Sequence, residues 1–108
     1  MDYDEAVNLW CLIRSSALTD LRQDLIDLAV RYARARVDYH LAEPEKQRWM
    51  GHDRSTLHNA LISACDVLAR NMVQHGEDRS WRDRLGNDRK IIGDFACYLH
   101  AIFGIAAR

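Results

Sequence analysis

The chain has 108 residues, of which 48% are hydrophobic and 29% are charged. This length suits one domain with a single modest core, and the balance is typical of a globular protein rather than a disordered or fibrous one. A formal net charge of −1 excludes a global electrostatic attraction to nucleic acid or to an anionic membrane. We therefore predict one domain over residues 1–108.

The three cysteines, Cys11, Cys65 and Cys97, are too few and too dispersed for a disulfide framework or a zinc site. Each lies within an apolar run, which predicts buried free thiols in a reducing cytoplasm. The chain begins with acidic residues, and no apolar run is long enough for a signal peptide or a membrane span. The sequence thus predicts a cytoplasmic protein with no metal, no cofactor and no membrane contact.

The first half of the chain shows helical periodicity. One proline and five glycines leave long uninterrupted segments, which favour helices over short strands. Apolar residues on one face predict a first helix over residues 3–14. A ladder of mostly apolar residues at spacings of three and four predicts a second helix over 19–41. This helix is expected to end at residue 41, because Pro44 disfavours helix just before it. The ladder consists of Leu18, Leu21, Leu25, Leu28, Tyr32, Ala35 and Tyr39.

The second half predicts two more long helices and two short helical turns. A turn over 45–50 is expected to stop at Gly51, and a helix over 54–75 is expected to end before Gly76. A turn over 81–85 precedes Gly86, and a last helix over 88–106 is expected to be capped by Asn87 or Asp88. The predicted fold is all-α: a four-helix antiparallel bundle with two short extra turns, in which consecutive helices pack as neighbours.

Arg70 and His75 form an Arg-x4-His motif at the end of the third long helix. This spacing resembles the motif of HEPN domains, a family of small helical proteins that includes metal-independent ribonucleases. The resemblance implies that His75 moves a proton at a ribose 2′-hydroxyl while Arg70 stabilises the phosphate charge. The alternative is structural, because a histidine beside Gly76 caps a helix by facing the negative end of its dipole.

A second candidate site is a polar connection that contains Arg79, Trp81, Arg82 and Arg84. Arginines interleaved with an aromatic residue can bind phosphates while a base stacks on the indole. The alternative is an ordered surface cap, in which Trp81 packs over the ends of the long helices. In this cap, Ser80 and Asp83 satisfy the free amides of the short turn. The arginines are expected to pair with Asp78, Asp83 and Asp88.

Two further polar residues are expected to have structural roles. Asp94 lies in an otherwise apolar run, and a buried carboxylate requires a partner. We expect it to be largely buried and bonded to an arginine or histidine of another helix, with Arg70, His58, Arg82 and Arg84 as candidates. His58 is expected to bond a backbone carbonyl or Asp94. Gly93 and Gly104 share a helical stripe that predicts a close helix crossing.

Residues 53–72 and 76–100 together resemble a small bacterial helical family of unknown function. Two functional hypotheses follow. The first is a non-enzymatic regulatory or interaction module that binds an unknown protein partner or forms a homodimer through the leucine ladder of the second helix. The second is a HEPN-type metal-independent ribonuclease or nucleotide-binding domain, the only hypothesis in which RNA is a partner. Because no strong catalytic motif is present, the sequence favours the first hypothesis.

Overall fold

The computed structural model describes residues 1–104, which form five helices and no strand. The all-α prediction is confirmed. The helices are α1 (Tyr3–Arg14), α2 (Thr19–Leu41), α3 (Pro44–Gln74), α4 (Ser80–Leu85) and α5 (Arg89–Phe103). The final residues of the predicted 88–106 helix, 105 and 106, lie outside the described residues.

Local signals account for several helix ends. Asp2 caps α1 by accepting a hydrogen bond from the Glu5 amide at 2.8 Å. Asp88 caps α5 by accepting from the amides of Lys90 and Ile91. Gly86 ends α4 with a φ of +64°, a left-handed conformation that glycine adopts without strain. The predicted bounds of α1 and α2, and the predicted cap of α5 at Asp88, are confirmed.

The predicted break at Gly51 is wrong, because α3 runs unbroken from Pro44 to Gln74. A glycine stops a helix when it takes a positive φ, and only Gly76 and Gly86 do so among the described residues. Gly51 instead faces the Tyr39 ring of α2. Packing along the whole of α2 offsets the cost of about 1 kcal/mol for a glycine inside a helix.

Helices α2 and α3 form a long antiparallel hairpin, joined by only two residues, and α5 packs along α2. Helix α1 packs mainly against α4 and α5. The expectation that consecutive helices are neighbours therefore holds for α2 and α3 but not for α1 and α2. All five helices contribute to one core, whose largest fully buried side chains include Trp81, Phe95, Leu9, Ile13, Leu25, Leu61 and Leu68. The core therefore lies between one face of the hairpin and the three shorter helices.

The cysteines differ from one another in their environment. All three are free, as predicted, but Cys11 is exposed and Cys97 is half-buried. Only Cys65 is fully buried, and this burial raises the pKa of its thiol to about 12. The Cys65 thiol is therefore protonated at neutral pH and acts as a small apolar side chain.

Candidate functional site

The polar connection before α5 is an ordered cap. Trp81 has 0% of its surface exposed, and its indole Nε1 donates to the Met72 Sδ atom at 3.3 Å. The prediction that Trp81 packs onto the long helices is confirmed. A ring with no exposed surface cannot stack on a nucleic-acid base, so the geometry does not support base stacking at Trp81.

The arginines of this cap do not converge on one surface. Arg82 is buried, and its Nε donates to the Asp66 carboxylate at 2.7 Å, not to Asp78, Asp83 or Asp88 as expected. Its remaining nitrogens donate to the Gly86 carbonyl at 2.8 Å and to Asn87 Oδ1 at 2.5 Å.

The other two arginines of the cap are exposed. Arg79 forms an ion pair of 3.4 Å with Asp83, and Arg84 is also exposed. The prediction that Ser80 and Asp83 satisfy the free amides of the short turn is also wrong, because Asp78 has this role. The Asp78 carboxylate accepts from the Ser80 amide at 2.8 Å and from its hydroxyl at 3.0 Å. These two hydrogen bonds lower the pKa of Asp78.

Arg70 and His75 are both exposed on or beside α3. Five residues correspond to 500° of helical rotation, so the two positions are separated by about 140° around the axis. The His75 Nδ1 donates to the Asn71 carbonyl at 2.8 Å, and His75 is the C-terminal cap of α3. His75 therefore has the capping role, whereas the side chains of Arg70 and His75 do not face a common point.

Asp94 joins three cations at the start of α5. Its carboxylate accepts from the Met1 α-amino group at 2.8 Å, from Lys90 at 3.0 Å and from Arg36 of α2 at 3.3 Å. The expectation of an arginine from another helix is met, but the partner is Arg36 rather than any of the expected residues. The Asp94 side chain is 24% exposed, so it is half-buried instead of largely buried.

Gly93 makes room for this contact. A Cβ atom added at Gly93 would lie 2.7–2.9 Å from the guanidinium of Arg36. The nearest atoms at Gly93 belong to a side chain of α2, and those at Gly104 belong to His100 of its own helix, so the close helix crossing predicted from the glycine stripe is not found. The same Arg36 also donates to the Cys97 sulfur at 3.6 Å. Arg36 thus links α2 to two successive turns of α5.

His58 is buried between α2 and α3, with 7% of its surface exposed. Its ring packs edge-on against Tyr32 at a centroid distance of 5.5 Å. Its Nδ1 lies 3.4 Å from Asn59 Oδ1, whereas its Nε2 is buried and has no hydrogen-bond partner. The expected bond to a backbone carbonyl or to Asp94 is therefore absent among residues 1–104. Buried polar atoms without a partner are rare and require an explanation.

The outer face of the α2–α3 hairpin carries a long depression, here called the hairpin groove. It consists of two adjacent hollows of about 440 Å³ and 350 Å³. Its lining comes from Leu21, Asp24, Asp27, Leu28, Arg31, Arg34, Ala35 and Asp38 of α2, and from Met50, Asp53, Leu57, Ala60, Ser63, Ala64 and Val67 of α3. The ladder residues of α2 therefore lie on two faces of the helix. Leu25 and Tyr32 are buried in the core, whereas Leu21, Leu28 and Ala35 line the groove.

Neither a metal site nor a membrane helix emerges from residues 1–104. They contain no group of three or more histidine, cysteine, aspartate or glutamate side chains that could hold a metal ion. No helix among them combines the length and the apolar character needed to cross a bilayer.

Comparison with known proteins found no matching protein-family model, no matching curated protein and no matching solved structure.

Proposed function

We propose that this protein is a non-enzymatic interaction module that assembles as a homodimer through the hairpin groove. The observation that carries the proposal is the uncovered face of α2 and α3, whose other faces form the core. Along this face Leu21, Leu28 and Leu57 remain half-buried, and Val67 is 38% exposed. A second helical hairpin laid on this face would bury these side chains and complete a bundle of four long helices.

Charges along the groove favour a second copy as the occupant. Asp24 and Asp27 lie on one side of Leu28, and Arg31 and Arg34 lie on the other side. A two-fold axis near Leu28 would bring the acidic pair of one copy opposite the basic pair of the other. None of these four residues forms an ion pair within residues 1–104.

Small side chains in the groove favour close helix approach. Ala35, Ala60 and Ala64 also line the groove, and the distance between packed helices depends on side-chain size at the contact. At the far end of α3, Trp49 is 82% exposed, one helical turn from Asp53 of the groove. Large exposed aromatic residues beside an apolar face are typical anchors of protein interfaces.

Light scattering coupled to size exclusion tests the proposal. The unmodified chain is expected to have the mass of a dimer, and Ala64→Arg is expected to have the mass of a monomer, because the arginine would project into the larger hollow of the groove. Ala101→Arg, an exposed change on α5, is the matched control and should leave the dimer intact. A monomer mass for the unmodified chain would contradict the homodimer. Monomer masses for both variants would contradict its assignment to the hairpin groove.

A charge-exchange pair tests the two-fold arrangement itself. Asp24→Arg should weaken the dimer, because it places arginine opposite the arginines of the other copy. Adding Arg31→Asp to the same chain should restore the dimer, because opposite charges then face each other again. Failure of the double variant to recover would contradict an axis near Leu28.

The ribonuclease hypothesis is a separate prediction, and the orientations of Arg70 and His75 do not favour it. Its test is cleavage of single-stranded RNA, which Arg70→Ala and His75→Ala would each abolish. The three free cysteines fit a reducing compartment such as the bacterial cytoplasm, and that location also stays a prediction.

A further inference from the structure

Three arginines from three helices lie at the junction of α2, α3 and α5, where the Tyr32 ring of α2 packs against His58 of α3. Arg36 belongs to α2, Arg54 to α3 and Arg89 to the first turn of α5; we call them the arginine cluster. Burial raises the pKa of Tyr32, and the positive charges of the three arginines act against that rise.

Contacts within the described chain hold each arginine in position. The Arg54 guanidinium lies 3.8 Å from the centre of the Tyr39 ring. Arg89 donates to the hydroxyl of Ser55, the residue after Arg54, at 2.9 Å. Arg36 lies against Gly93 and donates to Asp94. The cluster is therefore a preorganised arrangement at the junction of three helices, not a set of unconstrained surface side chains.

This junction has an excess of positive charge. Within residues 1–104, Arg54 and Arg89 form no ion pair. Asp94 is the carboxylate that pairs with Arg36, and it is shared with Lys90 and with the Met1 α-amino group. Lys90 is a fourth side-chain cation here, and within residues 1–104 only the Asp94 carboxylate forms an ion pair with any of the four. Like charges held together in this way are unfavourable unless an anion neutralises them.

Two buried polar atoms in the same region have no partner. They are Nε2 of His58, whose ring packs against Tyr32, and Nε of Arg54. His58 is 93% buried, because 7% of its surface is exposed. Because buried polar atoms normally form hydrogen bonds, an unpaired atom of this kind marks a position for a bound polar group.

We propose that the arginine cluster, together with His58 and Tyr32, binds the phosphate group of a small phosphomonoester. Guanidinium forks bind planar and tetrahedral oxyanions through two hydrogen bonds at once. A phosphomonoester carries a charge near −2 at neutral pH, which matches the two arginines that have no carboxylate partner. A carboxylate would neutralise only one of them. The site is separate from the hairpin groove, so it does not depend on the proposed dimer.

Titration with inorganic phosphate, at ionic strength matched with chloride, tests the site. We expect saturable binding, with shifts of the backbone amide signals of Ser55, His58 and Lys90 in nuclear magnetic resonance spectra. Arg89→Gln should weaken binding by about tenfold or more, since it removes a charged hydrogen-bond donor. Arg89 is exposed, so this variant should fold normally. Arg54→Gln should have a similar effect.

The control is Arg84→Gln, which removes one charge from an exposed position on α4 and should leave phosphate binding unchanged. Equal weakening in Arg84→Gln and Arg89→Gln would show that phosphate responds only to net charge, and would overturn the site. The absence of saturable phosphate binding would overturn it as well. Tighter binding of acetate than of phosphate would overturn the assignment of the ligand as a phosphate.

Discussion

At the scale of single residues, Asp94 shows how one carboxylate can hold helices together. Partial burial alone would raise the pKa of Asp94, but hydrogen bonds from the α-amino group, Lys90 and Arg36 outweigh this and lower it to about 2. The ordinary value is 3.8. A pKa that is lower in the folded state stabilises the fold, and a depression of this size corresponds to at most about 2 kcal/mol, which solvent screening reduces.

The sign of this shift sets the pH dependence of stability. The contribution is complete above about pH 5 and is lost as the pH falls through the folded-state pKa of about 2, below which the carboxylate is protonated in both states. We therefore expect Asp94→Asn to lower the free energy of unfolding at pH 6 by about 1–2 kcal/mol and to have little effect at pH 2. Urea unfolding at several pH values measures this.

The matched control for Asp94→Asn is Glu43→Gln, which neutralises an exposed carboxylate that makes no capping hydrogen bond. It should change stability little at either pH. If Asp94→Asn and Glu43→Gln gave the same pH profile, the three contacts of Asp94 would contribute nothing to the fold.

Two tryptophans in opposite environments give the second prediction. Trp81 is 0% exposed and Trp49 is 82% exposed. Trp81→Ala should lower the free energy of unfolding by about 3–5 kcal/mol, because it leaves a cavity in the core. Trp49→Ala should change it by less than about 0.5 kcal/mol. Chemical denaturation of both variants at low protein concentration checks the pair, and a similar loss in both would contradict the assigned burial.

Individual side chains were predictable from sequence only where their environment is local. Trp81 and the Asp88 cap follow from neighbouring residues, so the chain reveals both roles. The partners of Arg82 and Asp94 do not, since Asp66 is sixteen residues from Arg82 and Arg36 is fifty-eight from Asp94. Pairing across such distances depends on which helix faces meet, and no short motif encodes it.

At the scale of helices, apolar spacing and end signals gave correct bounds for α1 and α2. The same signals failed at Gly51, because a glycine followed by Asp53 and Ser55 reads locally as one helix end and a new start. Tertiary contact decided otherwise: α3 stays helical as long as it has α2 to pack against. Local propensity is a weak prior when a long partner helix is present.

The third prediction follows from the continuity of α3. Gly51→Ala should raise the free energy of unfolding by up to about 1 kcal/mol, because alanine favours helix and its Cβ would meet only the Tyr39 ring at an ordinary 3.8 Å. Gly86→Ala, at a φ of +64°, should lower it by about 1 kcal/mol or more. Thermal and urea unfolding measure both changes. A loss of stability in Gly51→Ala would place a helix end at that residue after all.

At the scale of the whole molecule, the sites depend on how five helices are arranged. The described chain is elongated, with extents of 48 × 25 × 22 Å, because α3 alone is 31 residues long. One side of the hairpin carries the core and the other carries the groove. The arginine cluster could not be read from sequence, since Arg36, Arg54 and Arg89 belong to three helices and share no motif. Only the packing of α5 across the hairpin brings them together.

The last prediction concerns stability as a property of the assembly. If two copies pair through the hairpin groove, folding is coupled to association, and the unfolding midpoint must rise with protein concentration. We expect thermal unfolding of the unmodified chain to shift upwards over a hundredfold increase in concentration. The Ala64→Arg variant should show a midpoint that does not change with concentration, because its monomer unfolds alone. Ala101→Arg should follow the unmodified chain. A midpoint independent of concentration in all three proteins would show that the half-buried leucines of the groove do not contribute to folding through a second copy.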